Sequence, residues 1–136
     1  MSPFEMVREF HEAFGLPART EPRFPTPSEA SLRVSLISEE FEEVRRAYRE
    51  LFQRYSGPTE FAALAHELAD LVYVAYGAAL EMGIDLDAVI AEVHAANMRK
   101  LGPGGKPIYS DTGKVLKPEG WERADVHRIL FGAVSA

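Results

Sequence analysis

The sequence predicts an all-α fold, an antiparallel four-helix-type bundle with a glycine-, proline- and lysine-rich C-terminal loop or small hairpin. Three observations support this prediction. Apolar residues recur at helical spacing over most of the chain, capping residues precede these segments, and glycine or proline follows them. With 136 residues, 46% of them hydrophobic and 26% charged, we expect one globular domain over residues 1–136.

The first predicted helix runs from about Pro3 to Phe14. Ser2 is its N-cap, and Gly15 lies just past its end. An extended connector follows, because proline fixes the backbone and cannot donate a hydrogen bond; its prolines are Pro17, Pro22, Pro25 and Pro27.

The second helix opens with the capping box Thr26-Pro27-Ser28-Glu29 and ends at Gly57-Pro58. Its apolar positions are Leu32, Leu36, Val44, Ala47, Tyr48, Leu51 and Tyr55. The third helix follows Thr59 and ends near Gly83. It is apolar almost all round, which predicts burial inside the domain or in an oligomer interface.

Asp85 caps a fourth helix that stops at Gly102, with an inward stripe of Leu86, Val89, Ile90, Val93 and Asn97. Two β-prone pieces then flank Asp111-Thr112-Gly113, which indicates a small hairpin or ordered loop; they are Ile108-Tyr109 and Val115-Leu116. A short amphipathic helix over about Asp125 to Phe131 completes the prediction.

Composition excludes several functions. There is no cysteine, so disulfides, thiolate zinc sites and thiol nucleophiles are absent. The start, MSPFEMVREF, lacks signal-peptide features, and the apolar run Leu71 to Leu80 is too short to span a bilayer, so we expect a cytoplasmic protein with no membrane partner. The net charge of −6 argues against nucleic-acid binding.

Four acidic residues form two matched pairs, Glu40 with Glu43 and Glu67 with Asp70. Carboxylates three residues apart share one face of a helix, and the second pair lies in an otherwise apolar run. Acidic residues are almost never fully buried unless they are paired or bind a metal. Glu39 falls at the edge of the same stripe as Glu43. Two packed helices would therefore direct four carboxylates at one centre.

Unpaired carboxylates this close together repel strongly away from water, and a divalent cation compensates that repulsion. An anionic, all-oxygen ligand set favours Mg²⁺, with Mn²⁺ as a substitute, over zinc or copper. A carboxylate beside the cation is then placed to act as a general base. The alternative interpretation is that the acids lie at the surface or pair with Arg45, Arg46 and Arg49.

The segment from Arg99 to Lys117 carries five basic residues and one acidic residue, which indicates a local anion site or a solvated lysine-rich loop. Asn97 and Lys100 lie on nearly one face of the fourth helix. With Lys114 they are candidates to hold a phosphate chain. The alternative is a buried amide that satisfies backbone groups and a lysine that offsets the helix dipole.

The acidic pattern resembles the MazG-like, all-α nucleoside triphosphate pyrophosphohydrolases, which are related to dimeric dUTPases and to phosphoribosyl-ATP pyrophosphohydrolase. In that family a Glu-Glu-x-x-Glu helix precedes a Glu-x-x-Asp helix. Here the two motifs are Glu39-Glu40-Phe41-Glu42-Glu43 and Glu67-Leu68-Ala69-Asp70. The run EVHAANMRKLGPGGKPIYSDTGKVLKPEGW also resembles a helix and loop of some members, so the resemblance covers Ser28 to Trp121.

The resemblance implies Mg²⁺-dependent cleavage of a nucleoside triphosphate to monophosphate and pyrophosphate by a homodimer or homotetramer. It implies metal ligation by Glu40, Glu43, Glu67 and Asp70. Glu39 and Glu40 are the catalytic candidates, and the substrate contacts it implies are Asn97, Lys100 and Lys114. A pyrimidine deoxynucleotide such as dUTP is the favoured substrate. The alternatives are phosphoribosyl-ATP pyrophosphohydrolase and a non-catalytic helical dimer or adaptor.

Overall fold

The computed structural model describes residues 1–132 and is all-α, which confirms the predicted fold class. Within these residues the α-helices are α1 (Pro3–Ala13), α2 (Pro27–Leu51), α3 (Pro58–Met82), α4 (Leu86–Met98) and α5 (Val126–Phe131). None of the helices in this part of the chain is long and apolar enough to cross a membrane.

The chain forms two compact units, one over Met1–Ile84 and a second that begins at Asp85. The first unit contains α1, α2 and α3, and the second contains α4 and α5. The expectation of a single domain over residues 1–136 stays a prediction.

Local sequence signals fix the starts of α1 and α2. Ser2 accepts a hydrogen bond from the Glu5 backbone N–H at 3.2 Å, and the Ser2 backbone N–H donates to the Glu5 carboxylate at 2.6 Å. Thr26 and Glu29 form the same reciprocal pair at 3.2 and 2.8 Å. Both boxes satisfy backbone donors that the first helical turn leaves free. The sequence predicted the box at Thr26 and, for α1, the N-cap at Ser2.

Helices α2 and α3 pack against each other and form the core of the first unit. Val44 and Ala47 of α2 contact Leu64 of α3, and the partly buried Leu51 and Leu71 pack around them. These three central side chains are 5–7% exposed, so they bury nearly all of their apolar surface. Helix α1 packs on α3.

Helix α2 ends at Leu51, so the prediction that it reaches Gly57 is wrong. The Ser56 hydroxyl donates to the Leu51 carbonyl and closes the helix with a side-chain bond. Three positions assigned to the buried stripe are exposed instead: Leu32 at 54%, Tyr48 at 48% and Tyr55 at 85%. Tyr55 lies beyond the end of the helix.

Helix α3 buries Leu64 near its start and a continuous run, Tyr76 to Glu81, near its end. Phe61 and Val72 are 68% and 51% exposed, so residues 1–132 do not bury the helix all round. The other predicted explanation, an oligomer interface, stays open.

The connector between α1 and α2 is tied to the end of α3. Backbone N–H groups of Arg19 and Arg23 donate to Leu80 and Met82 carbonyls at 2.9 and 2.8 Å. Gly83 ends α3 with φ +72°, and a Cβ atom on it would lie only 1.9 Å from the Glu21 carbonyl oxygen. Glycine is therefore required both by the left-handed backbone and by the close approach of the connector.

In the second unit, Asp85 caps α4 by accepting from the Ala88 N–H at 3.1 Å. The Trp121 indole N–H donates to the Ala96 carbonyl at 2.7 Å, and Glu92 accepts from Arg128 at 3.2 Å, which brings the C-terminal segment onto α4. Helix α4 ends at Met98, four residues before the predicted stop at Gly102.

The predicted inward stripe of α4 is wrong at three positions: Ile90 and Val93 are 48% and 39% exposed, and Asn97 is exposed. Leu86 and Val89 are half-buried. Ala96 is the buried residue of the helix. The predicted hairpin is present as one antiparallel bridge between Tyr109 and Val115, closed by a turn at Asp111–Gly113.

Candidate functional site

The two packed helices of the first unit bring three predicted acids together. Glu40 comes from α2, and Glu67 and Asp70 come from successive turns of α3. One carboxylate oxygen from each residue lies within 4.8 Å of the other two, and all three side chains are half-buried. We call these residues the acid cluster. Its three oxygens are close enough to share one cation.

Two oxygens of the acid cluster have no partner. Glu40 Oε2 and Glu67 Oε2 are buried and accept no hydrogen bond from residues 1–132. A buried acceptor left unsatisfied is costly, so such oxygens indicate a missing donor or cation. An oxygen-only, anionic donor set suits a hard divalent cation such as Mg²⁺ or Mn²⁺.

The pKa of Glu40 is raised. Burial is the largest cause, because it disfavours the charged form, and the negative charges of Asp70, Glu43 and Glu39 add to it. His66 acts in the opposite direction. A cation at the acid cluster would reverse this balance, since it favours the charged carboxylate.

The pKa of Glu67 is also raised, and the largest cause is a hydrogen bond with the Glu43 carboxyl group. Burial and the charges of Glu43 and Asp70 follow. A hydrogen bond with a second carboxyl group favours the neutral form of Glu67, and nearby negative charge acts in the same direction. Glu43 is exposed, and its contact with the acid cluster is the one with Glu67.

Two further acidic residues of α2, Glu39 and Glu42, lie outside the acid cluster. Glu39 is exposed and lies outside the three-residue acid cluster, next to Glu40 in the chain. Glu42 pairs with Arg45 at 3.1 Å on the exposed face. Within residues 1–132 no arginine or lysine forms an ion pair with Glu40 or Glu67, so the alternative in which arginines neutralise them finds no support.

His66 contacts the acid cluster and was not among the predicted site residues. Its Nε2 lies 3.0 Å from the Asp70 carboxylate, one turn along α3. The side chain is 70% exposed, so it stands at the surface of the acid cluster. The i, i+4 spacing to Asp70 was the signal available in the sequence.

The predicted substrate contacts all belong to the second unit. Asn97 is exposed on α4, and Lys114 is exposed in the hairpin. Lys100 is half-buried, and its ammonium lies 5.5 Å from the centre of the Trp121 ring, with Lys117 at 4.8 Å from the same ring. Cations within about 6 Å of an indole face are attracted to it. The role of these residues in substrate binding stays a prediction.

A cavity of about 400 Å³ adjoins the acid cluster, and we call it the central cavity. Its walls come from α1, the connector, α2 and α3; the lining residues are Phe10, His11, Leu16, Leu32, Arg33, Leu36, Glu40, Asp70, Tyr73, Val74 and Gly77. Mostly apolar walls with a few converging polar groups are typical of small-molecule sites.

A family match shows the class of the protein, a nucleotide pyrophosphohydrolase, which is a hydrolase that acts on phosphoanhydride bonds; the all-α fold agrees with it. The sequence model of the phosphoribosyl-ATP pyrophosphohydrolase family matches residues 7–97, more than half of the chain. The chain belongs to this family, which confirms the predicted MazG-like all-α superfamily. No match is found among curated proteins.

The family match includes both helices that carry the acid cluster and ends at Asn97. Lys100 and Lys114 lie beyond it, so the predicted likeness of the lysine-bearing loop has no support from the match. MazG-like pyrophosphohydrolases generally use divalent metals, in agreement with the oxygens of the acid cluster.

Proposed function

We propose that this protein is a Mg²⁺-dependent nucleoside triphosphate pyrophosphohydrolase that releases the nucleoside monophosphate and pyrophosphate, with Mn²⁺ able to substitute. The observation that carries the proposal is the acid cluster, with two unpartnered buried oxygens, on helices that match a pyrophosphohydrolase family. Glu40, Glu67 and Asp70 are the proposed ligands, and Glu43 completes the set through its contact with Glu67.

A cation bound there supplies charge neutralisation to the phosphate chain and an anchor for its oxygens. A carboxylate of the site supplies the general base. Glu39 and Glu40 are adjacent in the chain, and a charged carboxylate of this pair accepts the proton of the attacking water. Attack by water forms a new phosphorus–oxygen bond and breaks the anhydride bond between the α- and β-phosphates, and pyrophosphate leaves.

The central cavity is the proposed site for the base and sugar. It begins at Glu40 and Asp70, where the phosphates would lie, and it extends between aromatic and aliphatic side chains such as Phe10 and Tyr73. A nucleoside bound this way has its apolar base faces covered and its phosphates at the acid cluster. The favoured substrate is a pyrimidine deoxynucleotide, dUTP, and the proposed role is cleansing of the cytoplasmic nucleotide pool.

Phosphoribosyl-ATP is the second candidate substrate, and the family match favours it. Its hydrolysis breaks the same kind of anhydride bond and needs the same acid cluster. The two candidates differ in the base-side group that the central cavity must hold, so a substrate panel separates them.

A homodimer or homotetramer is proposed for the assembly. Val34, Ile37 and Phe41 recur at helical spacing on α2 and are 64%, 37% and 50% exposed, which is unusual for a stable monomer surface. Light scattering coupled to size exclusion tests this proposal, and a monomer at micromolar concentration would contradict it.

The decisive assay follows pyrophosphate release from the common ribo- and deoxynucleoside triphosphates and from phosphoribosyl-ATP, with Mg²⁺ or Mn²⁺. Glu40→Ala is expected to abolish turnover while the helical spectrum persists. Glu42→Ala is the matched control, since Glu42 lies on the same helix but pairs with Arg45 on the exposed face. Full activity in Glu40→Ala, or no activity in wild type, would refute the proposal.

A further inference from the structure

The central cavity has a polar corner at the end opposite the acid cluster. There His11 Nε2 and Arg33 Nη1 approach the same point: a Cβ atom on Gly77 would lie 3.1 Å from the first nitrogen and 3.0 Å from the second. All three residues line the cavity. Within residues 1–132 neither nitrogen makes a hydrogen bond, so both are available to a ligand.

The hydrogen bonds of His11 decide which ring nitrogen carries the proton. Nδ1 lies 2.6 Å from the Pro17 carbonyl oxygen, which accepts but cannot donate. Nδ1 therefore carries the hydrogen, and Nε2 of the neutral ring is an acceptor. The side chain is 2% exposed, which holds the ring in this orientation.

Arg33 is fixed by a different contact. Its Nε donates to the Glu81 carboxylate at 3.2 Å, and that carboxylate is only 4% exposed. The planar guanidinium is thereby locked, so Nη1 presents a donor at a defined place. The corner thus offers one acceptor and one donor side by side.

The register of the two helices sets the distance from this corner to the acid cluster. Arg33 precedes Glu40 by seven residues on α2, and Gly77 follows Asp70 by seven residues on α3. Seven residues make about two helical turns, or roughly 10 Å, and return to the same helix face. This separation is comparable to the length of a nucleoside, so a base whose phosphates lie at the acid cluster reaches the corner.

We propose that His11 and Arg33 recognise the imide edge of uracil, an inference that rests on the proposed function. Nε2 of His11 accepts from the uracil N3–H, and Nη1 of Arg33 donates to an adjacent uracil carbonyl. Cytosine presents a lone pair at N3, which would face the lone pair of Nε2. The corner therefore selects uracil over cytosine, two bases of nearly equal size.

Gly77 adjoins both recognition groups. A methyl group at residue 77 would lie 3.0 Å from Arg33 Nη1 and 3.1 Å from His11 Nε2, closer than ordinary van der Waals contact, so it would displace the two groups that meet the base edge. Gly77→Ala is otherwise favourable in a helix, because alanine has the higher helix propensity. Because the displaced side chains of His11 and Arg33 are largely buried, the folding of this variant is measured beside its binding.

The test compares kcat/KM for dUTP and dCTP at pH 8, where imidazoles are neutral. His11→Asn keeps an N–H that can donate to Pro17 and removes the Nε2 acceptor. The expected wild-type preference for dUTP is at least tenfold, and it falls to within about threefold in His11→Asn. His94→Asn, which alters an exposed histidine of the second unit, keeps the wild-type preference.

Gly77→Ala and Arg33→Lys are two independent tests. Arg33→Lys keeps a positive charge beside Glu81 but removes the guanidinium Nη1 donor. Calorimetry of a non-hydrolysable α,β-imido-dUTP measures binding apart from turnover. At least tenfold weaker binding is expected in Gly77→Ala at a temperature where circular dichroism shows that the variant is folded. Unchanged binding of this analogue in both variants would overturn the proposal.

Different results would refute uracil recognition by the corner and the proposed pyrophosphohydrolase activity. If wild type hydrolyses dUTP or dCTP but His11→Asn keeps the same ratio, the recognition of uracil by this corner is refuted and the proposed function stands. If wild type prefers dCTP, the same conclusion follows. If wild type hydrolyses no nucleotide with either metal, the proposed function itself is refuted.

Discussion

Gly83→Ala tests how the connector between α1 and α2 is held against the end of α3. Alanine at φ +72° costs about 1 kcal/mol, because its Cβ approaches the following carbonyl. The larger cost is steric, since the new Cβ would lie 1.9 Å from the Glu21 carbonyl oxygen. The connector must move away, and two backbone hydrogen bonds are lost, from Arg19 to Leu80 and from Arg23 to Met82.

Each lost backbone bond costs about 1 kcal/mol, so the total destabilisation is about 3 kcal/mol. For a chain of this size that corresponds to a fall in Tm of roughly 10 °C. Circular dichroism during thermal and urea unfolding measures both quantities. The same displacement would move Pro17, whose carbonyl holds His11, so binding of dUTP is expected to weaken as well.

Gly15→Ala is the matched control. Gly15 ends α1 with φ +69° and forms the same pair of terminal backbone bonds, but a Cβ atom there would meet nothing within 4 Å. It should therefore cost only the backbone term, about 1 kcal/mol. If Gly83→Ala is no more destabilising than Gly15→Ala, the connector is not fixed at this point and the reasoning is refuted.

Three further results are expected. Without metal, Glu67→Gln is expected to have a higher Tm than wild type, because the substitution removes a crowded negative charge. Mg²⁺ at a hundred times its Kd should raise the Tm of wild type by roughly 8 °C and leave that of Glu67→Gln unchanged, as measured by scanning calorimetry. Because the pKa values of Glu40 and Glu67 are raised in the folded state, that state takes up protons first as the pH falls. Metal-free wild type should therefore gain stability relative to Glu67→Gln as the pH is lowered. Titration calorimetry should show that Mn²⁺ affinity decreases from pH 8 to pH 5. Arg33→Met lowers the free energy of unfolding in urea by about 3 kcal/mol, because the buried Glu81 carboxylate loses its ion-pair partner, and Arg33→Met/Glu81→Met recovers most of that loss. A stable Arg33→Met, a metal shift that survives in Glu67→Gln, or pH-independent affinity would each contradict the corresponding step.

Much of the fold follows from short-range chemistry, which is why the sequence predicted it. The capping boxes at Ser2 and Thr26 and the glycine that ends α3 depend on neighbours within a few residues. The acid pairs were found for the same reason, since i, i+3 spacing places them on one face. That Glu40, Glu67 and Asp70 meet required only that α2 and α3 pack.

The errors arise where burial depends on distant segments. Asn97 was placed on a buried stripe because apolar periodicity shows which residues share a face, not whether anything in the chain covers that face. His11 and Arg33 were missed because the corner they form is assembled from α1, α2 and α3. Its partners, Pro17 and Glu81, are fixed only by tertiary packing.

The most direct test of the central claim is phosphorus NMR of dUTP incubated with the protein and Mg²⁺, beside Asp70→Asn. The account predicts that wild type produces dUMP and pyrophosphate in equal amounts and that Asp70→Asn leaves dUTP intact, because Asp70 belongs to the acid cluster. Release of orthophosphate with dUDP, or equal turnover in the variant, would contradict the assignment of this chemistry to the acid cluster.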